Sequence, residues 1–293
     1  MKIILQVSGG IGKSVAATAV CRAIKKQYPD SKLFVISGYP EVFSPSPIVD
    51  RSLSFNDLHY FYPEHIEGQD FLPLLHDPYH APGFLRQEGH LIKVWCEMFG
   101  IAYDGEQPEI HLTSKEYSSF GTMFQSPKPI MIIQTNGGVP NQTDKYSWAR
   151  DMPIATAQQV VNAFKDTYNI VHLRRQDQLP LQHVYPLTTN FRAIAVAIAM
   201  SSRRLFIDSF AQHAAAALGK PSVVCWVANK PEQFGYELHR NIIAHPPTLK
   251  PDYKNSIFTP FNIAGQPNEF CYNNESEIFD AAQIIAALNN MPA

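Results

Sequence analysis

Asp208, Ser209, Gln212 and His213 crowd one turn between an apolar run and an Ala-rich stretch. A carboxylate, a hydroxyl, an amide and an imidazole at the start of a helix, beside its unpaired N–H groups, suit an anionic ligand such as a diphosphate. A second cluster, Ser8-Gly9-Gly10-Ile11-Gly12-Lys13-Ser14, brings glycines, an ammonium and a hydroxyl together near the start of the chain. Glycines there let backbone approach a ligand closely. The loop is similar to the phosphate-binding loop of ATPases, which would make a nucleotide hydrolase built on Gly9 to Ser14. That pattern needs a first glycine where Val7 stands, and no acidic residue of the Mg²⁺-holding kind can be tied to the loop. A third group, His76-Asp77-Pro78-Tyr79-His80, spaces two histidines as a helical metal pair would, but Pro78 breaks the helix that spacing requires. It reads as a loop carrying two candidate bases, Asp77 and His80, with Glu41 a further one.

The elements that position these residues alternate between strands and helices. Leu205 to Ile207 form a strand, Ser209 can cap the helix that follows, and Gly219 and Pro221 stop it. The chain opens the same way: strand Ile3 to Val7, glycine turn, helix to about Tyr28, strand Leu33 to Ser37. Gln125-Ser126-Pro127-Lys128-Pro129 is a Pro-rich connector before the strand Ile130 to Ile133, which ends in the polar run Gln134-Thr135-Asn136. Then come a helix from Thr156 to Tyr168, a strand from Ile170 to Leu173 ending in Arg174-Arg175, and a helix from Phe191 to Ser201 capped by the turn before it. The tail after Glu275 is amphipathic at helical spacing. The pattern predicts an α/β protein: a first Rossmann-like domain over residues 1–126, a second over 127–274, and a C-terminal helix over 275–293.

Composition narrows the function classes. With 293 residues the chain can bury two cores, and a net charge of −2 leaves no footprint for extended nucleic-acid binding. Cys21, Cys96, Cys225 and Cys271 are far apart, so neither a zinc site nor a disulfide scaffold is indicated. The apolar run before Gly9 is too short for a signal peptide core, and no run reaches the roughly 20 residues of a membrane span. The expected compartment is the cytoplasm.

The stretch from Asp208 to Pro231 resembles the most recognisable motif of the lipopolysaccharide heptosyltransferases, the ADP-heptose-using family 9 glycosyltransferases. Asp208, Ser209, His213, Ala215 to Leu218, Gly219, Pro221 and Pro231 match it; Phe210 and Val227 replace two of its glycines. The opening βαβ, the patch Ile48 to Arg51 and the stretch His90 to Thr113, read as an amphipathic helix and a strand through Pro108-Glu109-Ile110, are also similar, in the same order. The resemblance implies the GT-B fold, two Rossmann-like doubly wound domains facing a cleft, with the C-terminal helix packing back on the first domain.

It also implies an inverting, metal-independent transfer of a sugar from a nucleotide-sugar, an ADP-sugar in this family, to an acceptor hydroxyl. Thr135, Asn136, Lys145, Arg174, Asp208, Ser209, Gln212 and His213 would bind the donor, and Gly9, Gly10, Gly12 and Lys13 would form the acceptor-side loop. No bound cofactor and no metal are expected. The acceptor can be a glycan, a small molecule, a protein or a modified nucleic-acid base. The family has an Asp after Gly12, proposed as the general base, where this chain has Lys13. An ammonium cannot take a proton from a hydroxyl, so catalysis falls to Lys13 with Asp77 or His80, or the chain binds nucleotide-sugar without turnover.

Overall fold

The computed structural model describes residues 1–137, 148–249 and 270–292. It divides into two compact units, Met1–Ser114 and Lys115–Ala293.

In the first unit β1 (Lys2–Val7) leads through Gly9 and Gly10 into α1 (Ile11–Gln27) and back to β2 (Lys32–Ser37). The strands β3 (Arg51–Ser54) and β4 (Phe71–Leu74) follow, with the short helix α2 (Phe61–His65) between them, and then α3 (Pro82–Leu85) and α4 (Leu91–Met98). All pairings are parallel and the order is β3-β2-β1-β4. β1 carries Ile3, Leu5 and Val7 fully buried, the near-continuous apolar run of a parallel strand covered on both faces. Four alanines let α1 lie close on the sheet, and α4 packs beside it through Leu91, Val94 and Trp95. The expected strand through Pro108-Glu109-Ile110 does not form. Glu109 N–H donates to the Thr18 hydroxyl of α1 (2.9 Å), which holds the segment as an irregular strap over that helix.

The second unit begins with α5 (Ser114–Gly121), before the Pro-rich connector rather than after it. Then come β5 (Ile130–Ile133), α6 (Ile154–Phe164), β6 (Asn169–Leu173), β7 (Tyr185–Leu187), α7 (Phe191–Met200) and β8 (Arg203–Ile207). The chain continues through α8 (Phe210–Ala217), β9 (Val223–Trp226), α9 (Pro231–Phe234), β10 (Arg240–Ile243) and α10 (Ala281–Asn289). An ion pair ties α5 to α7, with Arg192 Nε and Nη2 donating to Glu116 at 2.5 and 2.9 Å. The parallel sheet runs β10-β9-β8-β5-β6-β7. α10 is built into this unit: it packs on α6, β8 and β9, and Ile284 and Leu288 join the core formed by Met131, Ile133, Leu205 and Ile207. Fully burying such side chains stabilises the unit by roughly 2 kcal/mol each.

Each sheet reverses its strand order once, between β1 and β4 in the first unit and between β5 and β8 in the second. In open parallel sheets, ligands bind at the carboxyl ends of the strands where the order reverses. Gly9 to Lys13 and Asp77 lie at the first of these reversals, and Thr135, Asn136, Asp208 and Ser209 at the second.

Candidate functional site

At the first reversal Gly9 turns with φ 93°, a left-handed conformation that favours glycine, and Gly10 takes the N-cap of α1 with Gly12 in its first turn. Lys13 runs back beneath this turn, its Nζ 3.6 Å from where a side chain on Gly9 would begin. The ammonium meets Asp77 Oδ2 at 2.5 Å and lies over the rings of Tyr79 (4.5 Å) and Trp95 (5.8 Å). Ser8 Oγ donates to the same carboxylate oxygen at 2.8 Å, and Tyr79 N–H donates to the other at 3.0 Å. The Lys13 side chain is 3% exposed and that of Asp77 25%, so the carboxylate is the wetter partner. Burial pulls the ammonium down from the ordinary lysine value, with Asp77 opposing the shift. Burial alone would raise the Asp77 carboxyl; hydrogen bonds from Lys13, the Tyr79 N–H and Ser8 outweigh it and hold Asp77 below the usual carboxylate range.

This geometry differs from what the ATPase-like reading requires. The lysine is buried in an internal ion pair, and the Ser14 hydroxyl is buried against Ser37 Oγ at 3.0 Å, so neither is presented to a phosphate or a magnesium ion. Val7, where the pattern needs glycine, is a core residue of β1. His80 stands exposed at the end of the short turn Pro78–His80, which Asp77 caps. Of the candidate bases on that loop, Asp77 is the one held against Lys13.

At the second reversal, Gln134, Thr135 and Asn136 follow β5, and Asp208 and Ser209 follow β8. Ser209 occupies the N-cap position of α8 without capping it: its hydroxyl accepts from Gln134 Nε2 at 3.2 Å, and the first-turn N–H groups of α8 have no side-chain cap. Phe210, the substituted glycine, sets its ring edge-on to Phe191 of α7. Asp208 accepts from Asn229 Nδ2 at 2.5 Å; burial raises its pKa, opposed by the Arg150 charge and the Asn229 bond.

Thr135 and Asn136 are buried and used internally. The Thr135 hydroxyl donates to Asn136 Oδ1 (2.8 Å) and so accepts from His172 Nε2 (2.9 Å), which fixes that ring's tautomer. Burial, with the Arg174 charge behind it, lowers the His172 pKa to about 4. Asn136 Nδ2 and Gly137 N–H donate to the two oxygens of buried Asp151 at 3.0 and 2.9 Å, pinning the turn. The Gly137 turn is where a side chain is excluded: a Cβ there would lie 2.9 Å from Arg150 Cδ, 3.1 Å from its Nη1 and 3.5 Å from Ser209 Oγ. Arg150, exposed, therefore lies across Gly137 beside Ser209 and Asp208. Sequence reasoning missed Arg150 and Asp151; the adjacent charged pair just after Trp148 was the available signal. Lys145, the cation expected here, lies outside the described residues.

The remaining expected contacts turn inward. Gln212 is fully buried and donates to the Phe234 carbonyl at 3.0 Å, which directs its amide nitrogen also at His213 Nε2 (3.1 Å). That nitrogen must then accept, so His213 Nδ1–H donates to the Tyr236 hydroxyl (2.8 Å), and both ring nitrogens are occupied within the protein. Arg174 donates to the Gln178 carbonyl, whereas Arg175 donates to the Gly137 carbonyl (3.2 Å) and pairs with Asp177 (3.1 Å). Among the described residues no group of three or more His, Cys, Asp or Glu side chains could hold a metal ion, and no helix is long and apolar enough to cross a membrane.

No protein-family model matches the chain, and no curated protein matches it. Solved structures do. A glycosyl transferase family 9 from Veillonella parvula DSM 2008 is 13% identical, with 98% of this chain and 96% of that one covered at a TM-score of 0.70. The E. coli ADP-heptose lipopolysaccharide heptosyltransferase II is 16% identical over 99% of this chain and 98% of that one, with a TM-score of 0.65. TibC from enterotoxigenic E. coli H10407, a dodecameric, iron-containing glycosyltransferase, is 11% identical over 98% of this chain and 75% of that one, at 0.69. The chain has the α/β fold of these family 9, heptosyltransferase-like glycosyltransferases.

Proposed function

We propose that this protein is a glycosyltransferase that moves a sugar from a nucleotide-sugar, by the resemblance an ADP-sugar, to an acceptor hydroxyl, with inversion and without a metal ion. The observation that carries the reading is the second reversal, where Arg150 lies across Gly137 beside the uncapped start of α8. A guanidinium and a helix N-terminus converging on one crevice suit a diphosphate, and they would stabilise the charge that develops as it leaves. Lys145 would add a second cation, and Asp208 with Ser209 would orient the sugar.

In the proposed reaction the acceptor oxygen attacks the anomeric carbon as the bond from that carbon to the diphosphate breaks, and the acceptor proton passes to Asp77. Lys13 and Ser8 keep the Asp77 carboxylate ionised and aimed. A carboxylate held below its usual range is a weak base, so it suits a late transfer, after the attacking oxygen has gained positive character. Lys13 acts through Asp77 rather than on phosphate. The glycine loop and Asp77 form the acceptor side; the acceptor class stays as broad as a glycan, a small molecule, a protein or a modified base. Four buried free cysteines suit a reducing compartment, and the proposed site of action is the cytoplasm.

Release of nucleoside diphosphate from a panel of ADP-, GDP-, UDP- and CDP-sugars, with acceptor candidates and EDTA present, tests the reading. Turnover that Asp77→Asn reduces by about 10²-fold or more, with donor affinity retained, is the expected result. Donor binding with no turnover on any acceptor would make the protein a nucleotide-sugar-binding protein, and activity abolished by EDTA would overturn metal independence.

A further inference from the structure

The crevice of the second unit contains hydrogen-bond acceptors that none of the described residues satisfies. Gln134 is 4% exposed; its amide nitrogen is committed to Ser209 Oγ, and Oε1 is buried without a donor. Asn229, on the loop after β9, is oriented the same way: Asp208 takes its amide nitrogen, and Oδ1 is left buried without a donor. With Nδ2 donating to the Asp208 carboxyl, the Oδ1 end of the Asn229 amide faces away from it. A buried acceptor without a donor is costly, so two of them beyond the ends of β5 and β9, on either side of β8, form a site waiting for donors.

We propose that Gln134 and Asn229 read hydroxyl groups of the sugar carried by the nucleotide. The inference rests on the donor reading above and assigns the sugar's place within it. A diphosphate brings oxygens that only accept, and it suits Arg150 and the N–H groups of α8. A sugar brings O–H donors, and the one joined to the diphosphate lies next to it. The two amides bond Ser209 and Asp208, the residues at the start of α8, so their open carbonyl oxygens belong to the group adjoining the diphosphate. A site built to accept from hydroxyls discriminates against ligands that lack them, because its buried oxygens are then left unpaired. Gln134 and Asn229 would thus set which sugar is accepted.

Isothermal titration tests this on wild type, Gln134→Met and Asn229→Ala, using ADP, ADP-glucose and ADP-heptose, with the GDP-, UDP- and CDP-linked counterparts alongside. For the nucleotide whose sugar form binds more tightly than its bare diphosphate in wild type, each substitution is expected to weaken the sugar form about tenfold and leave the diphosphate nearly unchanged. Equal weakening of both forms, which would place base or ribose on these amides, overturns the inference, as does no weakening, which would leave the acceptors to water. Should the buried Gln134→Met variant fail to melt cooperatively, Asn229→Ala decides alone. A wild type that binds the sugar form no better than the diphosphate sinks only this inference, whereas a wild type that binds no nucleotide sinks the donor reading as well.

Discussion

The two sheets reverse their strand order in the same manner, yet the two crevices are finished differently. At the first, Lys13, Ser8 and the Tyr79 N–H all converge on Asp77, and opposite charges cancel within the protein. At the second, Arg150 is exposed and two amide oxygens have no donor among the described residues. A closed network keeps one carboxylate ionised and in place, the state in which the proposed base would receive a proton. An open one has its binding capacity left over, which suits a ligand that brings both an anion and hydroxyl groups. On the proposed reading, the same topology would serve two tasks through the side chains at the strand ends.

The contrast can be broken at several points. Leu288→Ala in α10 is expected to destabilise the second unit by about 3 kcal/mol while leaving the first unit's transition in place, measured by urea unfolding followed at separate tryptophans. Trp95 reports the first unit, and Trp148 and Trp226 report the second. Loss of both transitions together would show that α10 supports more than its own unit. Asp77→Asn strands a buried ammonium and is expected to cost the first unit about 2 kcal/mol. Adding Lys13→Met, which sets an apolar chain between Tyr79 and Trp95, should recover most of that loss; a double variant no more stable than Asp77→Asn would show the pair is not the cause.

Acid should separate the two units by a smaller effect. Burial lowers the pKa of both His172 and His239 to about 4 in the folded second unit, while the unfolded chain takes up those protons near the ordinary value of 6.5. The unfolded state therefore binds more protons over that window, and the second unit loses stability as the pH falls from about 6.5 to about 4. Asp77 is depressed in the folded first unit, so its contribution is full above the ordinary carboxylate value and is lost only as the pH falls below about 4. Denaturant midpoints from pH 8 to pH 3 should fall first at the second unit's tryptophans. Asp208, raised by burial, acts in the opposite sense, and Asp208→Asn should steepen the second unit's fall.

Much of this organisation was legible in the sequence because it is local. The run from Leu205 to Pro221 gave its own strand, turn, helix and stop, and Gly219 does end α8 with φ 65°. Asn190 caps α7 as its position before an apolar stretch suggests, accepting from Ala193 N–H at 2.9 Å. What depends on strand adjacency was not legible. Lys13 and Asp77 meet because β4 pairs with β1, which no local pattern announces. Arg150 matters because it crosses Gly137, a contact that only the folded turn creates. The hydroxyl of Ser209 and the ring of His213, both sensible ligand groups by type, have their polar atoms engaged by Gln134, Gln212 and Tyr236.

Calorimetric titration of the best-binding nucleotide-sugar into wild type, Arg150→Ala and Asp77→Asn, in EDTA, tests the division of labour most directly. Affinity lowered about tenfold or more by Arg150→Ala and kept in Asp77→Asn is the predicted result. Affinity kept in Arg150→Ala and lost in Asp77→Asn would put the nucleotide at the glycine loop of the first unit and contradict the assignment of the donor to the second.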